Sequence, residues 1–197
     1  IYGNYTTEAG FGKAFIESAI NREDIQLISK CGIQLINERR GSTIKHYKYA
    51  KEYIISSAET SLRNLKTDYL DTFLLHRPSP LMQPDEISEA ITILQDSGKI
   101  INFGLSNFTP SQVDLIANSA PVSVNQIEFS LSKNEAMFNG TLDKMLQKGI
   151  QTMSWSPLGK VFKDETAQTK RIKAVLKKLT KKYEISEDVI LLAFILM

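Results

Sequence analysis

Tyr69-Leu70-Asp71-Thr72-Phe73-Leu74-Leu75 is an apolar run of strand length that ends at His76-Arg77-Pro78. It leads into residues 86–95, where Ile87, Ala90, Ile91 and Leu94 recur at helical spacing, and then into a second apolar run at 101–105. Period-free apolar runs bounded by turn residues read as buried strands, and the 3.6-residue period between them reads as an amphipathic helix. Two strands joined through a helix are parallel neighbours in one sheet, because such a crossover returns the chain to the same end.

The same alternation extends in both directions. Upstream lie a helix at 7–19 with a Thr cap, a strand at 25–29 and a helix at 48–65. In that last helix Tyr49, Tyr53, Ile54, Ser57, Ala58, Ser61 and Leu65 fall near one face. Downstream come a helix at 110–117, a strand at 122–127, a helix at 139–147 and a strand at 150–154. Helices at 169–183 and 186–197 close the series. Thr109 followed by Pro110, and Ser186, supply helix starts. This is an α/β pattern with parallel strands. An open doubly wound sheet would carry a Gly-rich phosphate loop after its first strand. Lys30-Cys31-Gly32 is not one, and no G-x-G-x-x-G occurs anywhere. The expected architecture is therefore a (β/α)8 TIM barrel. Eight repeats need about 250 residues, so this chain supplies about six of the eight strands. It reads as a single barrel domain, 1–197, incomplete at both termini, since it opens on Ile1 and stops inside the apolar run 189–197.

Composition narrows the class. Of the 197 residues, 42% are hydrophobic and 23% charged, the profile of a globular chain and not a disordered one. No apolar run is long enough for a membrane span, so no membrane is expected. The net charge of +2 is too small to make nucleic acid the expected partner. Cys31 is the single cysteine, which excludes an intrachain disulfide and fits a reducing, cytoplasmic setting. The only histidines, His46 and His76, do not stand at metal-ligand spacing, and no metal is expected.

Barrel chemistry sits at the carboxyl ends of the strands. Those ends carry Lys30, His76, Ser106-Asn107, Asn125-Gln126 and Ser154-Trp155-Ser156-Pro157. A cation, an imidazole, amides, hydroxyls and an indole suit a flat cofactor and a proton donor to a carbonyl. There are no paired carboxylates, and no serine sits in a nucleophile elbow.

Several ordered stretches carry a resemblance. They are Ile1-Tyr2-Gly3-Asn4, Leu27-Ile28-Ser29-Lys30, Asp71 to Pro78, Gly104-Leu105-Ser106-Asn107-Phe108, Val124-Asn125-Gln126 and Trp155-Ser156-Pro157-Leu158-Gly159. In this order the chain resembles the aldo-keto reductase family, particularly bacterial members with a tryptophan on the seventh strand. The resemblance implies an NADPH-dependent oxidoreductase that reduces aldehydes or ketones to alcohols. It implies that Tyr2 is the general acid, assisted by Lys30 and His76. The family's fourth catalytic residue, an aspartate five positions before the tyrosine, would precede Ile1. The resemblance further implies that Ser106, Asn107 and Gln126 hold the nicotinamide carboxamide and that Trp155 stacks on its ring. Ser156 and Leu158 match contacts near the pyrophosphate, whereas Lys160 departs from the small residue usual there.

The implied chemistry is coherent. A tyrosine of ordinary pKa, about 10, is a weak acid at neutral pH, and a nearby ammonium favours its ionised form. An acid acts best with its pKa near the working pH. The implied partner is a small-molecule carbonyl compound; the pattern says nothing of oligomeric state. The alternative is a non-catalytic regulatory barrel of the same family that binds the nucleotide. Residues 160–182 hold nine basic and two acidic residues, a local +7, against 15 basic and 20 acidic elsewhere, −5. Ile172, Val175, Leu176 and Leu179 are expected to form the apolar stripe of that helix, and the lysines its solvated faces.

Overall fold

The computed structural model describes residues 1–38 and 41–196. The chain forms two compact units, Ile1–Asn125 and Gln126–Met197. In the first unit the strands are β1 (Ile28–Cys31), β2 (Ile33–Gln34), β3 (His46–Tyr47), β4 (Leu70–Leu75) and β5 (Ile100–Ser106). Strand β6 (Val122–Glu128) runs through the boundary. The helices of this unit are α1 (Thr7–Glu17), α2 (Lys51–Leu65), α3 (Pro84–Asp96) and α4 (Pro110–Ala117).

Strand order in the main sheet is β1-β4-β5-β6, and β6 continues beside β7 (Gln151–Trp155) in the second unit. β1 pairs with β4, and β4 with β5, in parallel. The register sets Lys30 opposite Leu74 and Leu75 opposite Leu105. Phe73, Leu74 and Leu75 are fully buried, as expected of a parallel strand covered on both faces. Burying each such side chain is worth roughly 1.5–3 kcal/mol.

The helices follow their apolar stripes. Ile54, Ala58, Ser61, Leu62 and Leu65 form the buried face of α2, which ends where Lys66 turns left-handed at φ 58°. Ile87, Ala90, Ile91 and Leu94 do the same for α3, which has proline in its first turn. Thr109 caps α4 in a reciprocal box with Gln112. Helices α1 and α2 approach closely at Gly12, where a Cβ would stand 2.1 Å from the Asn64 carbonyl.

The sheet holds five strands, the five apolar runs of the sequence, whereas length suggested about six. Most boundaries shift by one to three residues, and among the strands the largest shift is at β1, which opens at Ile28, not at residue 25. Asp71 accepts the Leu27 N–H at 2.7 Å and Arg22 donates to the Ile25 carbonyl at 2.9 Å, so side chains take the groups that an earlier strand start would use. The antiparallel pair β2–β3 was not expected; strands of two residues carry no period to read.

The second unit contains α5 (Thr141–Lys148), β7, α6 (Ala167–Tyr183) and α7 (Glu187–Ile195). Val161, Leu176 and Leu191 form one buried cluster, with Leu131, Leu158, Ile172 and Ile190 packed on it. Ile127, Phe129 and Ala136 form another, covered by Leu142, Phe194 and Ile195. Val175 is 56% exposed and stands outside the α6 stripe, which runs through Ile172 and Leu176. Lys170, Lys177, Lys178, Lys181 and Lys182 are exposed, as a solvated face requires. The expected end of the last helix, Met197, lies outside the described residues.

Candidate active site

Tyr2 sits on a tight turn before α1, in which Gly3, Asn4 and Tyr5 all have positive φ, at 55°, 53° and 70°. Three pins hold that turn. The Thr6 hydroxyl donates to the Gly3 carbonyl at 2.6 Å, the Leu35 N–H donates to the Tyr5 hydroxyl at 2.8 Å, and the Asn37 amide donates to Asn4 Oδ1 at 3.0 Å. The turn presents the Tyr2 hydroxyl 3.3 Å from His76 Nε2. Lys30 Nζ lies 5.7 Å from the centroid of the Tyr2 ring. The three residues expected to act together are therefore brought together within the first unit, although they are 28 and 46 positions apart in sequence.

Their placement follows from the sheet. Lys30 is the penultimate residue of β1, and His76 directly follows β4, its N–H donating to the Cys31 carbonyl at 2.9 Å. Lys30 is half-buried, and burial lowers its pKa from the ordinary lysine value. Cys31, next along, is buried and packed, with its thiol pKa pushed up by desolvation, which keeps it an inert thiol. His76 is 8% exposed. Burial first, then the charges of Lys30 and Arg77, push its pKa down to about 4. Its imidazole is neutral at physiological pH, with one N–H to donate.

That shift has a stability consequence. Above pH 6.5 the imidazole is neutral in folded and unfolded chains alike. Between pH 6.5 and about 4 the unfolded chain takes up a proton that the folded site refuses, so folding weakens as pH falls. His76→Gln should remove up to about 3 kcal/mol of this pH dependence. Urea unfolding of both forms at neutral pH and near pH 4 measures it; identical slopes would disprove the shift.

Beyond His76, Asn107 follows β5 at φ 63°. Its amide donates to the Ser106 hydroxyl at 2.8 Å and to the His76 carbonyl at 3.4 Å. Asn125, fully buried, donates to the Phe108 carbonyl at 3.0 Å, and its Oδ1 has no partner. It braces the Ser106-Asn107-Phe108 turn from β6. The sequence marked Asn125 only as a polar strand end. A cavity of about 540 Å³ opens beside Tyr2, Lys30 and His76 and runs along β1 between α1 and α2, past Phe11, Leu27 and Leu65. Among the described residues no cluster of His, Cys, Asp or Glu is arranged to hold a metal ion. No described helix is long and apolar enough to cross a membrane.

The remaining candidates lie in the second unit. Gln126 is half-buried, and its amide donates to the Met153 thioether at 3.1 Å, a weak acceptor. Trp155 ends β7 half-buried. After it the chain turns through Ser156, φ 51°, and Gly159, φ 58°, closed by the Gly159 N–H on the Ser156 carbonyl at 2.8 Å. A Cβ on Gly159 would stand 2.1 Å from the Ser132 hydroxyl and 2.6 Å from that of Ser130. Ser132 also accepts the Lys160 N–H at 3.1 Å. Leu158, partly buried, packs its side chain on the Val161 cluster. Lys160 turns its ammonium to Asp164 at 3.3 Å, exposed. Ser130 and Ser132 carried no sequence signal of this role, because serines after a strand are commonplace.

The sequence pattern of the aldo/keto reductase family matches residues 1–197. The chain belongs to the aldo/keto reductase family. It is 44% identical over 181 residues to an uncharacterized oxidoreductase, YcsN, of Bacillus subtilis, covering 89% of this chain and 60% of that protein. The chain thus spans about three-fifths of the length of that relative. Among solved structures, a thermostable aldo-keto reductase, Tm1743, in complex with the inhibitor epalrestat, superposes with a TM-score of 0.82 at 25% identity, over 99% of this chain and 65% of that one. The aldo/keto reductase of Klebsiella pneumoniae in complex with NADP and acetate has the same fold, with a TM-score of 0.71 at 23% identity over 95% of this chain and 60% of that one. The α/β architecture read from the alternating runs is therefore that of the family's (β/α)8 barrel, of which the described residues supply a five-stranded part.

Proposed function

We propose that the protein reduces the carbonyl group of a small aldehyde or ketone with NADPH, with Tyr2 as general acid and Lys30 and His76 assisting. The observation that carries this reading is the convergence of three groups: the Tyr2 hydroxyl 3.3 Å from His76 Nε2, and the Lys30 ammonium 5.7 Å from the Tyr2 ring. As the Tyr2 proton leaves, negative charge grows on its oxygen, and a nearby ammonium in a partly desolvated site lowers the cost of that charge. Neutral His76 offers an N–H that orients the substrate oxygen beside Tyr2.

The donor set fits a nicotinamide cofactor. A carboxamide needs both a donor and an acceptor, and in the first unit the Asn107 amide and the Ser106 hydroxyl are groups of that kind. In the second unit the Gln126 amide, on the Met153 thioether, has a weak partner to give up. Trp155 offers a flat apolar face to the ring. The turn from Ser156 through Leu158 to Gly159 suits the pyrophosphate side. The bound nicotinamide supplies the hydride.

Trp155 is the single tryptophan, so its fluorescence reports on this site alone. Adding NADPH to the purified protein should quench it, and an aromatic aldehyde should then consume NADPH. Quenching without turnover would replace the enzyme reading by that of a nucleotide-binding regulatory protein; neither signal would overturn both.

A further inference from the structure

Glu8, in the first turn of α1, is a hub that the proposed chemistry does not use. Its Oε1 accepts from the Ser29 hydroxyl at 2.6 Å and from the Ser61 hydroxyl at 2.8 Å, and its Oε2 accepts from the Asn64 amide at 3.3 Å. Both serines are buried and lie 3.1 Å apart. One carboxylate thereby joins α1, β1 and α2. The contact has little play, since Gly12, one turn further along α1, already lies against the Asn64 carbonyl.

Two features connect this hub to the proposed site. The turn carrying Tyr2 feeds directly into α1, and its residues Asn4 and Tyr5 hold positive φ, a conformation that side chains other than glycine resist. Such a turn persists only while its surroundings over-determine it. Asn37 and the Leu35 N–H hold it from one side; Glu8 anchors the helix on the other. The second feature is Ser29, the residue before Lys30. Neighbouring strand residues point to opposite faces, so Glu8 acts on Lys30 through the β1 backbone and not by contact.

We propose that Glu8 is a positioning residue that sets the distance between Tyr2 and Lys30 by clamping α1 to β1 and α2. The inference rests on the catalytic reading given above. Loss of the clamp relaxes the turn and moves the Tyr2 hydroxyl away from His76, while the cofactor-side residues keep their places.

Three variants test it in the purified protein: Glu8→Ala, Glu8→Gln and Ile91→Val. Glu8→Ala should lower kcat about tenfold or more, since small misplacements of a reacting group have effects of that size. Its NADPH affinity, read by Trp155 quenching, should be unchanged. Glu8→Gln keeps an oxygen for both serine hydroxyls and should restore kcat. Ile91→Val weakens a buried helix elsewhere and should lower Tm without lowering kcat. If Glu8→Ala does not fold, the double variant Ser29→Ala, Ser61→Ala removes the same two bonds and should lower kcat in the same way. Full kcat in Glu8→Ala or in that double variant overturns the proposal. So does an equal kcat loss in Ile91→Val, which would reduce the effect to general destabilisation. A wild-type protein without turnover, or an active Tyr2→Phe variant, overturns the catalytic reading itself, an outcome distinct from those.

Discussion

Tyr2→Phe should cut carbonyl reduction by about 10²- to 10⁴-fold, the range expected for a positioned general acid. Its NADPH affinity should stay at the wild-type value. The substitution removes one atom and keeps the ring that lies 5.8 Å from the His76 ring. Tyr2 is 58% exposed, but buried His76 loses the partner at its Nε2, so stability should fall by about 1 kcal/mol. Single-turnover measurement of hydride transfer separates this effect from product release. A variant with wild-type rates would remove Tyr2 from the mechanism and move the search for the acid to His76.

Much of this site was legible because of where barrels put chemistry. Lys30, His76, Ser106 and Asn107 each fall at the end of an apolar run, and the sheet gathers such ends by construction. Helices α2, α3 and α4 were legible because their buried residues keep one period. What escaped reading depends on distant partners. In sequence Glu8 is an acidic residue in a helix's first turn, ordinary for dipole reasons. Its role exists only because Ser29 and Ser61, 21 and 53 positions away, turn their hydroxyls to it. Asn125 is likewise defined by the Phe108 carbonyl, 17 positions back. The run of positive φ is half legible: Gly3 and Asn4 suit it, but Tyr5 does not. The start of β1 was misplaced partly for the same reason: Asp71, 44 positions on, takes the Leu27 N–H, while Arg22, three residues back, takes the Ile25 carbonyl.

That pair supports the second large expectation. Arg22→Ala should destabilise the protein by about 2–3 kcal/mol, between the values for a surface pair and for a fully buried one. Arg22 is 16% and Asp71 18% exposed along their side chains, and they meet at 2.6 Å. The guanidinium also donates to Thr67 Oγ1 at 2.8 Å and to the carbonyls of Ile25 and Tyr69 at 2.9 and 3.0 Å. It stacks 3.9 Å above the Tyr69 ring. A lysine has no planar fork to serve four acceptors, so Arg22→Lys should fall between wild type and alanine. Most of the loss should come from leaving the Asp71 carboxylate with the Leu27 N–H as its remaining donor among the described residues. The double variant Arg22→Met, Asp71→Asn should therefore be more stable than Arg22→Ala, because no charge is left behind. Urea unfolding of the three forms decides this; a loss below about 1 kcal/mol in Arg22→Ala would reduce the pair to a surface contact. The pair sits at the amino ends of β1 and β4, opposite the ends that carry Lys30 and His76. Below its unfolding temperature, Arg22→Ala should then keep kcat while losing stability. Glu8→Ala should differ in losing kcat as well, because its contacts with Ser29 and Ser61 tie the helix that follows Tyr2 to the strand that carries Lys30.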